Sequence, residues 1–354
     1  MKRILLVTGI ISNYRVPVYN IIGKKFDFTI AYDVRDESEE TVGFSKIKLD
    51  TFSIGPIKLI RNNLYKLMKQ YDVVVILPDM HYINLAFLPF IKGNIKMISW
   101  SIGMRASYTR LFDLNRKKTF LDWVYFKILD NCNASIFYMK EVMAFNEPYG
   151  LKKEKCFVAH NTVAVLPLKA DVKKDSIIFV GTLYPQKKIY ELLKSYLAAY
   201  QVCQDMPMLL IVGDGSEFNS IKSIIKEKGV ENKIRLLGRI IDEELLRDMF
   251  LRSFVCVSPG QAGLTVLKSF GYGVPFVTRK DAVTGGELLN VDNNITGILY
   301  DNDEMLVDIL KDVKNNPRKY IEMGACAYKY YCEKATPEKM AQGVIDAIEY
   351  VLID

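Results

Sequence analysis

No stretch of this sequence reaches the ~18 uninterrupted apolar residues that a membrane-spanning helix requires. Histidine is nearly absent, with His81 and His160 the only two. The six cysteines, Cys132, Cys156, Cys203, Cys256, Cys326 and Cys332, form no Cys-x-x-Cys pair. A structural zinc site, which draws on closely spaced Cys and His ligands, is therefore not expected, and no other metal cluster is evident. Scattered thiols suit a reducing cytosol. A disordered chain, a collagen-like fibre and a small disulfide scaffold are excluded by composition, since half the residues are hydrophobic and a quarter charged. What is there is a chain of 354 residues, too long for one ordinary core and comfortable for two.

The net charge of +7 is unevenly placed. Residues 1–165 hold 24 Lys/Arg against 15 Asp/Glu, a surplus of +9, whereas 166–354 hold 24 against 26. Nucleic acid is not the expected partner, because the basic residues are dispersed and no recognition motif accompanies them. An anionic membrane surface or an anionic acceptor fits the first half equally well. The opening Lys2-Arg3 followed by Ile4 to Val7 resembles a short signal peptide. However, Asn13, Tyr14 and Arg15 follow with no small-residue cleavage site, so the segment reads as a buried first strand.

Two α/β series can be read from the hydrophobic pattern. Strand-like runs fall at 3–10, 26–32, 72–77, 95–100, 134–138 and 156–159, and again at 176–181, 208–213, 233–238, 254–258 and 275–278. Segments of helical spacing lie at 187–200, 217–228, 243–250 and 305–313. Short β-branched runs alternating with longer amphipathic ones predict parallel sheets covered on both faces. Residues 163–175 carry no strong period and read as a linker, and Pro337 opens a last helix.

Ligands of open parallel sheets collect where strands run into helices, so three loops of the second half matter. Gly181-Thr182-Leu183-Tyr184-Pro185-Gln186-Lys187-Lys188 reads either as an anion site, with lysine beside exposed amides, or as a solvated lysine pair. Gly213-Asp214-Gly215-Ser216 lacks P-loop and dinucleotide spacing, and alone is a turn in which Asp214 or Ser216 caps a helix. Ser258-Pro259-Gly260-Gln261-Ala262-Gly263-Leu264-Thr265 places small residues before a helix, as a diphosphate site wants.

Phe179-Val180-Gly181-x-Leu183…Lys187, Ile211-Val212-Gly213-Asp214-Gly215, Leu237-Gly238-Arg239 and Ser258-Pro259…Gly263-Leu264…Gly273-x-Pro275 together resemble the donor domain of glycosyltransferase family 4. In the first half, Asn13-Tyr14-Arg15-Val16-Pro17, Trp100-Ser101-Ile102-Gly103 and Phe157-Val158-Ala159…Asn161-Thr162 resemble a bacterial branch acting in surface polysaccharide assembly, such as capsule or O-antigen. The resemblance implies a GT-B fold: two Rossmann-like domains facing across a cleft, the last helix crossing back to the first. The implied divisions are 1–165 for the acceptor, 166–335 for the donor, and 336–354 for that helix.

It further implies transfer of a sugar from a nucleotide-sugar to a glycan or polyprenyl-diphosphate-linked acceptor, with retention and without a cofactor. Lys187 would hold the donor diphosphate with amides at Gly263, Leu264 and Thr265. Gly238 and Arg239 would border the base, and Gly9, Gly181 and Thr182 would line the donor site. Thr182 stands where the family has arginine, and Gly260 and Lys268 stand where it has paired glutamates. Ile102 replaces a frequent histidine. A lysine has no acceptor for ribose hydroxyls, so Lys268 either is structural or goes with weak demands on the ribose.

The acceptor is expected in the first half, near Asn13, Arg15, Asp79, His81, Arg105 and Tyr108. His81 serves as a proton shuttle or as a hydrogen-bonded loop residue. Arg105 binds a phosphate or forms a surface salt bridge, and His160 is structural. Residues 116–126, basic and then aromatic, read either as an interfacial helix or as a buried one with a charged start. Peripheral attachment to the cytoplasmic face of the plasma membrane would follow from the first. Two other functions share the pattern: a nucleotide-sugar epimerase, and a catalytically weak nucleotide-sugar-binding subunit that supports a partner transferase.

Overall fold

The computed structural model describes residues 1–38, 41–103, 117, 119–146, 150–170 and 172–353. They divide into two units, one drawn from 1–163 with 334–353 and the other from 164–333.

The first unit is built on a seven-stranded sheet. Its spatial order is Ser45–Lys48, Asp27–Asp36, Arg3–Ile11, Val73–Ile76, Met97–Ser101, Ala134–Phe137 and Cys156–Val158. Every pairing is parallel. Arg3–Ile11 is a central strand, so Ile4, Leu5, Leu6 and Val7 are all buried, with both faces covered. That two-sided burial explains a continuous apolar run rather than an alternating one. The signal-peptide likeness of this segment is thus the signature of a core strand.

The second unit repeats the plan with six strands. Their order is Ile234–Leu236, Met208–Val212, Ser176–Val180, Ser253–Val257, Phe276–Arg279 and Gly297–Tyr300, again all parallel. In both sheets the chain steps outward one way from its first strand, then returns to that strand's other side. The switch point falls between Arg3–Ile11 and Val73–Ile76 in one unit, and between Ser176–Val180 and Ser253–Val257 in the other. Loops diverge there, leaving room for a ligand.

Helix Pro337–Ile353 belongs to the first unit. Met340, Ala341, Val344, Ile345, Ala347, Ile348 and Val351 recur at helical spacing and join the core with Ile4, Leu6, Val18 and Ile22. The return of the last helix, expected from the family resemblance, is therefore a packing fact. The stretch taken as a linker differs from expectation. Leu166 N–H donates to the Tyr272 hydroxyl at 3.3 Å, and Lys169 pairs with Asp248 at 2.7 Å, so it is seated on the second unit.

Two other features were not legible. The helix expected from 187 starts at Ile189, because Pro185–Lys187 forms a 3-10 turn and Lys188 is left-handed at φ 52°. Ser45–Lys48 and the hairpin of Thr51–Ile54 with Ile57–Ile60 are too short and too polar to stand out. Lysines on an edge strand of that kind discourage pairing with another chain. No helix among the described residues is long and apolar enough to cross a membrane.

Gly343 faces the strand Cys156–Val158 closely enough that a Cβ would run into the Val158 carbonyl oxygen and the Ala159 backbone. Gly343→Val should therefore cost ~1–3 kcal/mol through overpacking. Thermal unfolding should show a lower midpoint, and an unchanged midpoint would mean that this helix does not bear on the first unit's stability.

Candidate active site

At the second unit's switch point, three loops are locked together by close backbone approach. Gly213 has φ 147°, and a Cβ there would collide with the Gly181 carbonyl. Gly260 N–H donates to the Lys187 carbonyl at 3.1 Å, and its own Cβ position is filled by the Gln186 and Lys187 backbone and the Lys188 side chain. Only glycine fits these places, which is why the loops after Ser176–Val180, Met208–Val212 and Ser253–Val257 can close on one another.

Lys187 is held between them. Its Nζ lies 3.3 Å from where a Gly181 Cβ would be, and the residue is 9% exposed. No carboxylate among the described residues pairs with it. Burial consequently pulls its pKa below the ordinary lysine range. A buried ammonium without a counter-charge is an uncompensated, costly group. Lys188, beside it, is exposed.

A cavity of about 680 Å³ opens at the same strand ends, lined by Gly181, Thr182, Asp214, Gly215 and Arg239. Arg239 and Thr182 are exposed, and Gly238 has φ 70°. Asp214 accepts from the Gly215 N–H at 2.7 Å. Neither Asp214 nor Ser216 caps the next helix: Glu217 occupies that place without a capping hydrogen bond, and its buried Oε2 has no partner. Gly263 has nothing within 4 Å of its Cβ position, and Thr265 starts the helix Thr265–Gly271 after Leu264. Thr265 Oγ1 donates to the Val180 carbonyl at 3.4 Å, which ties that helix to the first strand.

Lys268 is half of a bidentate ion pair, its Nζ 2.7 Å from each carboxylate oxygen of Glu243. The position expected to lack an acceptor therefore has a carboxylate beside it, delivered from the helix Glu243–Leu251. No sequence signal linked the two, which are 25 residues apart.

The first unit's switch point holds a second cavity, of about 450 Å³. Gly9, which was expected at the donor site, lines it together with Arg15, Asp79 and His81, whereas Asn13 is exposed and does not. His81 Nδ1 is 2.7 Å from Asp79 Oδ1, so it is both a hydrogen-bonded loop residue and a cavity residue. Asp33, Lys58, Tyr82, Trp100 and Tyr138 also line it and were not foreseen as site residues. Asp33 accepts from the Tyr82 hydroxyl at 2.7 Å and pairs with Lys58 at 3.6 Å. An acid inside the largely apolar stretch Phe28–Val34 was the available signal for Asp33. Arg105 and Tyr108 lie outside the described residues. His160 is half-buried, with Nδ1 unpartnered and its pKa lowered by burial. No group of three or more Cys, His, Asp or Glu among the described residues could hold a metal ion.

The lowered pKa of Lys187 has a definite sign. The unfolded chain binds this proton more readily than the folded one, so the site's penalty is present at neutral pH. Relief comes as pH rises through the depressed pKa toward about 10.4. Lys187→Met, which keeps length and removes charge, should hold or raise the melting temperature at pH 7, with the gain fading at alkaline pH. A clear fall at pH 7 would show instead that the ammonium stabilises the loop.

Residues 167–330 match the family model of glycosyl transferases group 1. The chain is 24% identical over 315 residues to an uncharacterized glycosyltransferase of Haemophilus influenzae, covering 88% of this chain and 85% of that one. Among solved structures, Anabaena HepE in complex with UDP superposes with a TM-score of 0.67 at 13% identity, covering 99% of this chain and 100% of that one. The lipopolysaccharide outer core galactosyltransferase WaaB gives a TM-score of 0.63 at 15% identity, covering 98% and 99% respectively. The fold is therefore that of the GT-B glycosyltransferases, and the second unit is similar to their group 1 domain.

Proposed function

We propose that this protein transfers a sugar from a nucleotide-sugar donor to a glycan or polyprenyl-diphosphate-linked acceptor during assembly of a bacterial surface polysaccharide, with retention of configuration. The observation that carries the reading is Lys187: a buried ammonium without a carboxylate, set between glycine loops at a parallel sheet's switch point. That charge suits a donor diphosphate, which becomes more negative as the bond to the sugar breaks. Stabilising the departing diphosphate is then the main catalytic contribution of this unit. The Gly263, Leu264 and Thr265 backbone and the Gly238-Arg239 turn complete the donor contacts. His81, oriented by Asp79, is the first unit's candidate for receiving the acceptor proton. UDP complexes of HepE support a uridine nucleotide as the first donor to try.

Lys187→Ala should weaken donor binding or turnover about ten- to hundredfold, since a charge-assisted phosphate contact contributes ~1.5–3 kcal/mol. Ligand-observed NMR against UDP-, GDP-, dTDP- and CMP-sugars identifies the donor without knowledge of the acceptor. Wild-type affinity in the variant would move the diphosphate elsewhere. The second reading, a nucleotide-sugar-binding subunit, is favoured by Gly260 and by the engagement of Lys268 with Glu243. Tight nucleotide binding with no turnover, restored by a co-purifying protein, would select it.

The cytoplasmic, peripheral placement rests on helix Phe120–Asp130. A capping box of Thr119 and Asp122 starts it, and Tyr125, Phe126, Ile128 and Leu129 anchor it in the first unit. Phe120, Leu121 and Trp123 remain exposed, the two aromatic rings stacked at 5.7 Å. Helix Leu88–Ile91, in contact with it, adds exposed Phe90 and Ile91. One face of this helix is thus buried in the first unit, and the other is exposed and aromatic. Of the basic run before it, Lys117 is exposed, and Arg116 and Lys118 lie outside the described residues. Aromatic and basic groups side by side suit an anionic bilayer surface. The protein should sediment with anionic liposomes at low salt and be released at high salt, and Phe120→Ser/Trp123→Ser should stay in the supernatant. Failure to sediment at any ionic strength would defeat the placement.

A further inference from the structure

Arg15 is a guanidinium 6% exposed on the wall of the first unit's cavity. Its partners are all neutral. Nη2 donates to the Tyr138 hydroxyl at 3.0 Å and Nη1 to the Met340 thioether at 2.6 Å. The Tyr14, Trp100 and Tyr138 rings stand 5.2, 5.6 and 5.0 Å from its central carbon. Aromatic faces attract a cation but offer no strong acceptor to its five N–H donors. No carboxylate among the described residues pairs with it.

A second donor on the same wall is also unmatched. Trp100 is 3% exposed, and its Nε1 is buried without a hydrogen-bond partner. The cavity's two carboxylates are already met, Asp33 by Tyr82 and Lys58, and Asp79 by His81. Unmatched buried donors cost stability, and an unpaired buried charge costs more. Arginine's planar fork matches the paired oxygens of a carboxylate or a phosphate, and the indole ring with its unmatched N–H stands 5.6 Å from the Arg15 central carbon. The cavity volume of about 450 Å³ lies within the range of small-molecule sites.

We propose that this cavity binds an oxyanion carried by the acceptor, with Arg15 and Trp100 Nε1 as its donors. The anion is either the carboxylate of an acidic sugar or the phosphate of a phosphorylated one. Only the word acceptor rests on the transferase reading; the anion site does not.

Trp100 and Trp123 are the only two tryptophans, and Trp123 is half exposed. Trp123→Phe therefore leaves Trp100 as the single indole reporter. The variant is titrated, without nucleotide, with methyl β-D-glucuronide, glucose 6-phosphate and the neutral methyl β-D-glucoside. A saturable emission change at least tenfold tighter for a charged sugar than for the glucoside is expected. Response to the glucuronide identifies a carboxylate, and response to the phosphate alone identifies a phosphate. Arg15→Met in the same background should abolish the preference. Equal affinity for charged and neutral sugars, no response to either anion, or a preference that survives Arg15→Met overturns the site. The titrations that retain Arg15 decide the matter even where Arg15→Met does not fold. Nucleotide binding is read separately by NMR, so loss of this site leaves the transferase reading intact, and loss of that reading leaves the anion result standing.

Discussion

Among the described residues, each unit keeps one buried cation that no carboxylate meets, and each keeps it where its parallel sheet changes direction. Arg15 follows the first strand of one sheet, and Lys187 follows the first strand of the other. Arg247, the other buried cation among the described residues, has Asp248 at 3.1 Å and so behaves as an ordinary structural residue. Desolvating a charge without compensation is among the more expensive things a fold can contain. Both exceptions sit beside cavities at strand ends, where a parallel sheet offers diverging loops and space. The simplest physical account is that the missing counter-charges belong to ligands.

Holding such a cation requires a rigid surround. In the second unit that surround is backbone. Gly213 and Gly260 let three loops touch, and the turn Pro185–Lys187 ends in left-handed Lys188, which aims the chain into the helix from Ile189. In the first unit the surround is side chain, with three aromatic rings and the Met340 thioether around Arg15. The two solutions suit different ligands. A backbone cage is indifferent to side-chain variation and fits a constant group such as a diphosphate. A cage of side chains can be retuned residue by residue and fits a variable partner.

The sheets were legible because strands buried on both faces leave continuous apolar runs, as at Ile4–Val7 and Ile177–Phe179. The closely approaching loops of the second unit were legible because glycine and lysine at strand ends have a local physical meaning. What escaped was non-local. Glu243 meets Lys268 across two helices, and Asp33 meets Tyr82 across 49 residues. Arg15 meets Met340 across 325 residues. Pairings at such separations follow from topology rather than from periodicity. The capping role suggested for Asp214 or Ser216 failed for a related reason: Gly213 and Gly215 carry the chain through backbone angles that turn Asp214 onto the Gly215 amide.

The return of helix Pro337–Ile353 bears directly on the first cavity. Met340 contributes both to the core and to the Arg15 contact, so one helix supplies apolar burial and part of the wall around an unfavourable charge. Burying Met340, Val344, Ile348 and Val351 contributes stability in the range of ~1.5–3 kcal/mol for each large apolar side chain. A penalty of a few kcal/mol at Arg15 is tolerable only in a unit with such a reserve. The last helix therefore does more than close the fold. It offsets the instability that a buried charge with neutral partners imposes on the sheet that carries it.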